Sequence, residues 1–323
     1  MNDRLHYLTN GPTRAVARHC RRGFCAALVV VLASGFSVAP QEFSPWSTPI
    51  NLGPSINTAS NELHPAISAD GLSLFFSSGR PGGFGGSDLW VAQRLDRNAD
   101  WEPAQNLGPG FCTTGDEFGV ELSPDAHWLF FCSDGLPDAK GNNLNIFVAF
   151  RSDTADNFGW GLPANLGKGI NGDHLNCDPT VFVDPETGVT TLYFARLNKP
   201  GQGDWDIYVS TLQPDGTFGN AVLDPELSSR YRDTHPTVRR DGLELIFSSD
   251  RPGSLGRIDL WISTRATTHD KWSTPVNLGA GVNTPYDDRA PYLSDDGLTL
   301  IFSSDRPGGL GGTDFYMISR KRL

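Results

Sequence analysis

The chain has 323 residues, of which 38% are hydrophobic, enough to bury the core of one large or two smaller domains. Its 26 basic and 37 acidic residues give a net charge of −11, which disfavours nucleic acid and anionic membranes as partners. The 36 glycines and 23 prolines indicate many short elements joined by turns, and no long helical periodicity follows residue 40. These features favour an all-β fold.

The N-terminal segment has the features of a secretory signal peptide. Four arginines precede an apolar run over 23–33, and Ser-Val-Ala at 37–39 is a candidate cleavage site. A membrane anchor is the alternative, although the run is short for a span. We predict a signal peptide over 1–39, a linker over 40–45, and a periplasmic or secreted protein with no membrane insertion after cleavage. Cleavage would leave 21 basic and 36 acidic residues, a net charge of −15.

Five copies of one pattern organise the rest of the chain. The clearest copy, over 291–317, reads as three short strands, with an Asp-Gly turn after the first and a glycine-rich loop before the third. The other copies lie over 65–91, 120–148, 179–209 and 236–262. An aromatic residue opens a further short segment before each copy, at spacings of 55, 59, 58 and 54 residues: Trp46, Trp101, Trp160, Phe218 and Trp272.

This repeat predicts a five-bladed β-propeller over 46–323. Blades of four strands recur about every 40–50 residues, and each aromatic segment would supply the outer strand. The segment at Trp46 has no copy before it, and the chain ends after the third strand of the last copy. It should therefore pair with the last blade and close the ring, which removes an open edge. The predicted blades span 60–109, 116–168, 174–223, 231–280, and 286–323 plus 46–53.

The pattern Pro-x-x-Ser-x-Asp-Gly…Phe-Ser-Ser-x-Arg-Pro-Gly-Gly…Asp-Leu-Trp resembles the WD-repeat-like propeller repeat of the TolB family, over roughly residues 46–323. The resemblance implies an exported propeller that engages a ligand on the face of its central channel. TolB has an additional N-terminal domain with no counterpart before the first strand here, so a role in a Tol-type envelope system is not implied.

Two sets of side chains should meet at the channel mouth, because alternate residues of a strand face the same side. The first set lies three residues before each repeat proline: Glu62, Glu117, Asn176, Asp233 and Asp288. The second lies immediately before it: His64, Gly119, Asp178, His235 and Ala290. Ion pairs between blades, made with Arg80, Arg251 and Arg306, are the structural explanation of this ring of acids.

The functional explanations of the same ring are an enzyme and a cation site. An enzyme acting on a sugar would draw its acid and base from Glu62, Glu117, Asp178 and Asp233. A divalent cation such as calcium is an open alternative, but no metal ligands are assigned and no other cofactor is expected.

Ligand contacts are expected where blades two and three depart from the repeat, as well as in the channel. The candidate ligand-binding residues are His64, Asp134, His174, Arg196, Trp205, His235 and Asp288. Trp205 could stack on a sugar ring or pack within its loop. Cys112, Cys132 and Cys177 remain after signal removal, and in an oxidising compartment one disulfide and one free thiol are expected, in a pairing that the sequence leaves open.

The main functional hypothesis is a TolB-like binding module that engages a protein or glycan. The alternative is a carbohydrate-active enzyme, a glycoside hydrolase or lyase, that uses carboxylates of the channel mouth. A purely structural envelope protein is a third hypothesis.

Overall fold

The computed structural model describes residues 42–137, 139, 143–197 and 204–323. The predicted signal peptide lies outside the described residues. Within them, the chain forms twenty β-strands and no α-helix. No helix of this part is long and apolar enough to span a membrane.

The strands form five four-stranded antiparallel sheets arranged as a ring, which confirms the five-bladed β-propeller. In chain order the strands are β1 (Ile50–Asn51), β2 (Glu62–Ile67), β3 (Ser73–Ser78), β4 (Asp88–Gln93), β5 (Gln105–Asn106), β6 (Glu117–Leu122), β7 (Trp128–Ser133), β8 (Asn145–Phe150), β9 (Ala164–Asn165), β10 (Leu175–Val183), β11 (Thr190–Leu197), β12 (Trp205–Thr211), β13 (Val222–Leu223), β14 (Asp233–Val238), β15 (Glu244–Ser249), β16 (Asp259–Thr264), β17 (Val276–Asn277), β18 (Asp288–Leu293), β19 (Thr299–Ser304) and β20 (Asp314–Ser319).

The N-terminal strand closes the ring as expected. The fifth sheet has the order β1-β20-β19-β18, with Ile50 opposite Met317 in the outer pair. The amide group of Asn57 adds two hydrogen bonds to the backbone of Phe315, at 3.1 and 2.8 Å. The closure also takes in part of the predicted linker, because Phe43 forms a β-bridge with Arg322. In the described structure, β1 therefore covers the edge that β20 would otherwise expose.

Large apolar side chains from the second strand of each blade fill the space between the blades. Those that are fully buried include Phe75, Phe131, Phe194, Phe247 and Phe302. Burying each such ring contributes roughly 1.5–3 kcal/mol, so the clusters between neighbouring blades hold the ring together. The innermost strands β2, β6, β10, β14 and β18 surround the central channel and position its side chains.

Each innermost strand carries an irregularity at the residue before the repeat proline. The register with the second strand shifts there, for example between Leu63 and Ala66 in blade one. The residue inside the shift adopts a left-handed backbone conformation in all five blades, with φ of 56° at His64, 59° at Gly119, 53° at Asp178, 52° at His235 and 50° at Ala290. The strict alternation of side chains therefore fails at this point of the strand. The set that begins with Glu62 and the set that begins with His64 were predicted to face one side of the strand, and they are therefore separated from each other.

Candidate functional site at the centre of the channel

The first set of predicted acids is buried inside the blades. Glu62, Glu117, Asp233 and Asp288 are 0% exposed. Three of them form ion pairs with an arginine that follows the second strand: Glu62 with Arg80 at 3.0 Å, Asp233 with Arg251 at 2.5 Å and Asp288 with Arg306 at 2.5 Å. Each pair joins two strands of one blade, so the expectation of ion pairs between blades is replaced by pairs within blades.

These arginines also hold the backbone of the turn that precedes each innermost strand. The guanidinium of Arg80 donates to the carbonyl oxygen of Ile56 at 2.6 Å and lies over the ring of Phe76. The corresponding bonds run from Arg251 to Leu227 and from Arg306 to Val282. The arrangement recurs because every blade must satisfy the same backbone groups. We name these acids, together with Glu117, the scaffold acids.

Glu117 is a scaffold acid without an arginine. Its carboxylate accepts hydrogen bonds from the backbone and hydroxyl of Thr113 and from the hydroxyl of Ser133. Burial raises its pKa, although these hydrogen bonds oppose the shift. In blade three Asn176 takes the place of the acid and accepts a hydrogen bond from Nε of Arg196 at 2.8 Å. Arg196, a predicted ligand-binding residue, therefore occupies the position of the structural arginines.

The second set of residues brings three polar side chains together on the channel axis. Nε2 of His64 lies 3.3 Å from one oxygen of Asp178, and Nε2 of His235 lies 3.5 Å from the other. The backbone N–H of His235 also donates to Asp178, at 3.3 Å. The three residues come from blades one, three and four, and only Gly119 and Ala290 complete the ring. We call His64, Asp178 and His235 the channel triad.

The triad holds one charged and at least one neutral group at pH 7. Burial lowers the pKa of His235 to about 3 in spite of the neighbouring Asp178, so its imidazole is neutral. Burial also opposes ionisation of Asp178, but the two histidines and Arg232 outweigh it and lower its pKa to about 2. The channel therefore contains an ionised carboxylate next to a neutral imidazole.

The donor atoms of the channel triad fit a divalent transition metal. The three atoms lie within 4.8 Å of one another. Metal bonds of about 2.0–2.2 Å would place neighbouring ligand atoms about 3.3 Å apart around a tetrahedral ion. The hydroxyl of Thr234 lies 2.8 Å from Nδ1 of His235 and orients that ring. Two imidazoles suit zinc, copper, iron or nickel, whereas calcium prefers six to eight oxygens.

The triad lines a small cavity on the axis. Its volume is about 30 Å³, and Glu121 and the repeat prolines complete its wall. This is room for an ion or about two water molecules, so a sugar would have to lie above the triad, at the mouth. A second cavity of about 40 Å³ lies further along the channel and shares Glu121 with the first. The hydroxyl of Tyr292 crosses this end and donates to the carbonyl oxygen of Ile67 at 2.9 Å.

Glu121 is a site residue that the repeat pattern did not indicate. Its carboxyl accepts a hydrogen bond from the hydroxyl of Thr180 at 2.9 Å. Burial raises its pKa to about 8, so it is mainly protonated at pH 7. The signal that could have found it is an acid two residues beyond the left-handed position, where the other blades carry Ala66, Thr180, Thr237 and Tyr292.

The remaining predicted ligand residues lie around the triad, in the loops and the scaffold. Asp134 accepts a hydrogen bond from the backbone of Asp116 at 2.8 Å, and His174 is half-buried in the turn before β10. Trp205 begins β12 and packs against the apolar cluster of blades two and three, which favours its packing role over sugar stacking. Asp288 is a scaffold acid. Of the predicted site residues, His64, Asp178 and His235 are the ones that line the axial cavity.

A disulfide supports the backbone next to the triad. Cys132 on β7 is bonded to Cys177 on β10, which joins blades two and three directly beside Asp178. Cys112 is free and buried, and burial raises the pKa of its thiol to about 12. This resolves the pairing that the sequence left open. A thiol of this kind is chemically inert.

Comparison with known proteins identifies the fold without a family. No family model matches the chain, and no curated protein is similar to it in sequence. An α-L-arabinofuranosidase from Podospora anserina, solved in complex with cellotriose, is 13% identical with a TM-score of 0.53, over 87% of this chain and 97% of that one. An α-L-arabinofuranosidase from Lactobacillus brevis is 15% identical with a TM-score of 0.55, over 83% and 92%. At these identities the likeness shows the β-propeller fold alone.

These comparisons correct the hypothesis of a TolB-like binding module. TolB from Acinetobacter baumannii is 14% identical with a TM-score of only 0.48, over 77% of this chain and 53% of that one. The similar structures that exceed 0.5 include the two arabinofuranosidases and a GH62 hydrolase in complex with xylotriose, at 0.53 and 11% identity. The propeller is thus supported and the TolB type is not.

Proposed function

We propose that this propeller is a carbohydrate-active enzyme, a glycoside hydrolase or lyase, whose reaction takes place at the channel mouth. The observation that carries the proposal is Asp178. Its carboxylate faces the axial cavity and has no arginine partner, whereas Glu62, Asp233 and Asp288 are neutralised within their blades. Five-bladed glycoside hydrolases share the fold, and two of them were solved with cellotriose and xylotriose, which supports a glycan as the substrate.

The channel offers two carboxyl groups in opposite protonation states. Asp178 is ionised, with a pKa of about 2, and Glu121 is mainly protonated, with a pKa of about 8. A pair of titratable groups whose environments push their pKa values apart is the pattern of a general base and a general acid. Asp178 would accept a proton at the mouth. Glu121, which lines the same cavity, would supply one through water held there.

The proposed enzyme acts outside the cytoplasm. The disulfide between Cys132 and Cys177 supports this location, because such bonds persist in oxidising compartments. The predicted signal peptide over 1–39 supports it independently.

The test is a glycan panel assayed with the wild-type protein and the variant Asp178→Asn. New reducing ends report cleavage, and ultraviolet absorbance of an unsaturated product separates a lyase from a hydrolase. We expect Asp178→Asn to lower kcat by about 10²–10⁴-fold, the usual contribution of a general base. Asp270→Asn, which changes an exposed acid that bonds the backbone of Thr267 outside the channel, is the matched control. Cleavage that survives Asp178→Asn unchanged, or no cleavage by the wild-type protein, would contradict the proposal.

A second candidate function is a metal centre at the channel triad, favoured by the spacing of its donor atoms. Calorimetric titration with Zn²⁺ should give one site per chain, and His64→Ala and His235→Ala should each abolish it. His127→Ala is the control, since that ring lies outside the channel triad and bonds the carbonyl of Arg151. A stoichiometry that both triad variants leave unchanged would exclude this site.

A further inference from the structure

Two arginines beside the channel triad depart from the pattern of the scaffold. Arg232 directly precedes β14, and Arg289 is the second residue of β18, so they lie on the neighbouring blades four and five. The residues at the position of Arg232 in the other blades are Asn61, Asp116, Leu175 and Asp287. Those at the position of Arg289 are Leu63, Phe118, Cys177 and Thr234. The fold therefore requires an arginine at neither position.

Neither guanidinium is satisfied within the described part of the chain. Both side chains are half-buried, and Nε of each is buried without a hydrogen-bond partner. The four structural arginines, by contrast, each donate to an acid or amide of their own blade and to a backbone carbonyl. A buried guanidinium without a partner is costly, and an anion that accepts its hydrogen bonds would offset the cost.

In the described part of the chain, the acidic side chains near the pair form no ion pair with either arginine. Asp287 and Asp305 lie near Arg289, but both carboxylates already form ion pairs with Arg257, at 2.7 and 3.5 Å. Asp178 is near Arg232. Arg232 lies three residues before His235, and Arg289 directly precedes Ala290, which lines the same axial cavity, so both arginines adjoin the channel triad.

We propose that Arg232 and Arg289 form an anion-recognition site beside the channel triad, and that the glycan bound there is acidic, with a carboxylate or sulfate group. The inference rests on the proposed function for its sugar, but its chemistry comes from the arginines. A planar guanidinium presents paired donors that match the oxygens of a carboxylate or sulfate. Two arginines at the channel whose Nε–H groups have no hydrogen-bond partner would select the acidic residue of a glycan.

The test compares binding of three oligosaccharides of equal length by calorimetry: a polyuronate, a sulfated neutral glycan and an unmodified neutral glycan. We expect the wild-type protein to bind at least one acidic probe about tenfold or more tightly than the neutral probe. Arg289→Gln and Arg232→Gln should each remove about tenfold or more of that preference. The probe whose affinity falls identifies the group as a carboxylate or a sulfate.

Two further variants keep the result interpretable. Arg97→Gln, which removes an exposed arginine that bonds the carbonyl oxygen of Asp70 outside the channel, should leave all affinities unchanged. Arg289→Lys keeps the charge but loses the paired donors. If Arg289→Gln unfolds, the melting temperature will show it, and Arg289→Lys should still lower the affinity for the acidic probe.

Failure of this inference is separable from failure of the proposed function. Equal affinity for acidic and neutral probes, no binding of any probe, or an acidic preference that survives both arginine substitutions would overturn the anion site. Cleavage of a neutral glycan by the wild-type protein and by Arg289→Gln at equal rates would overturn it while leaving the enzyme intact. Arginine-dependent binding of an acidic probe without any cleavage would support the anion site and contradict the enzyme.

Discussion

Acidic side chains occur at two positions of the innermost strands, two residues apart, and acids at the two positions have different surroundings. Asp233 and Asp288 at the strand start are 0% exposed and bonded to Arg251 and Arg306. Asp178, at the later position, is exposed to the axial cavity and contacts two histidines. The acids that recur in register with the repeat are thus paired within the scaffold, whereas the acid at the later position, present in one blade, lines the cavity.

The largest expected effect is a difference in the free energy of unfolding between substitutions at the two positions. Asp233→Asn leaves Arg251 buried without its charge partner and should lower the free energy of unfolding by about 3–5 kcal/mol. Asp178→Asn removes a carboxylate whose pKa is about 2 in the folded protein, against an ordinary value of 3.8, so we expect a smaller loss of about 2–2.5 kcal/mol. Urea denaturation of both variants measures this. Equal losses of stability would mean that Asp178 is a scaffold residue too.

The disulfide beside Asp178 should matter next. Cys132 and Cys177 are 45 residues apart in sequence, so the cross-link restricts the unfolded chain and its loss should cost about 2–4 kcal/mol. Cys132→Ser measures the effect, and Cys112→Ser at the free buried thiol is the control. If blades two and three position Asp178 through this bond, kcat should also fall in Cys132→Ser. A stable variant with full activity would contradict that link.

The effect that is smallest per unit of pH concerns Glu121, and it appears only as a pH dependence that accumulates over the titration range. Its folded pKa of about 8 lies above the ordinary value of 4.5, so its contribution to stability is complete below pH 4.5 and is lost as the pH rises to about 8. The stability of the wild-type protein relative to Glu121→Gln should therefore fall by up to about 1.4 kcal/mol per pH unit in this range.

The titration of His235 runs in the opposite direction, since its lowered pKa makes the protein lose stability as the pH falls from 6.5 to about 3. This contribution is common to the wild-type protein and Glu121→Gln and cancels in their difference. A difference that does not change between pH 4.5 and 8 would show that Glu121 is ionised normally and is not the proton donor.

Local sequence signals are sufficient to predict the number of blades and the closure of the ring. Asp-Gly turns, alternating β-formers and the recurring aromatic segments act over a few residues, so they remain readable without the fold. A lone outer segment at Trp46 and a missing one after the last copy sufficed to predict that β1 pairs with β20. The number of strands and their order follow from such local signals.

Which of the repeated polar residues face the channel depends on the tertiary structure and could not be predicted from the repeat. The left-handed residue at the register shift breaks the alternation that places Glu62 and His64 on one side, and no local pattern announces it. The meeting of His64, Asp178 and His235 depends on three blades whose strands are far apart in sequence. Whether an acid is neutralised depends in the same way on a partner one strand away, because charge and burial are set by neighbours in space and not by neighbours in the chain.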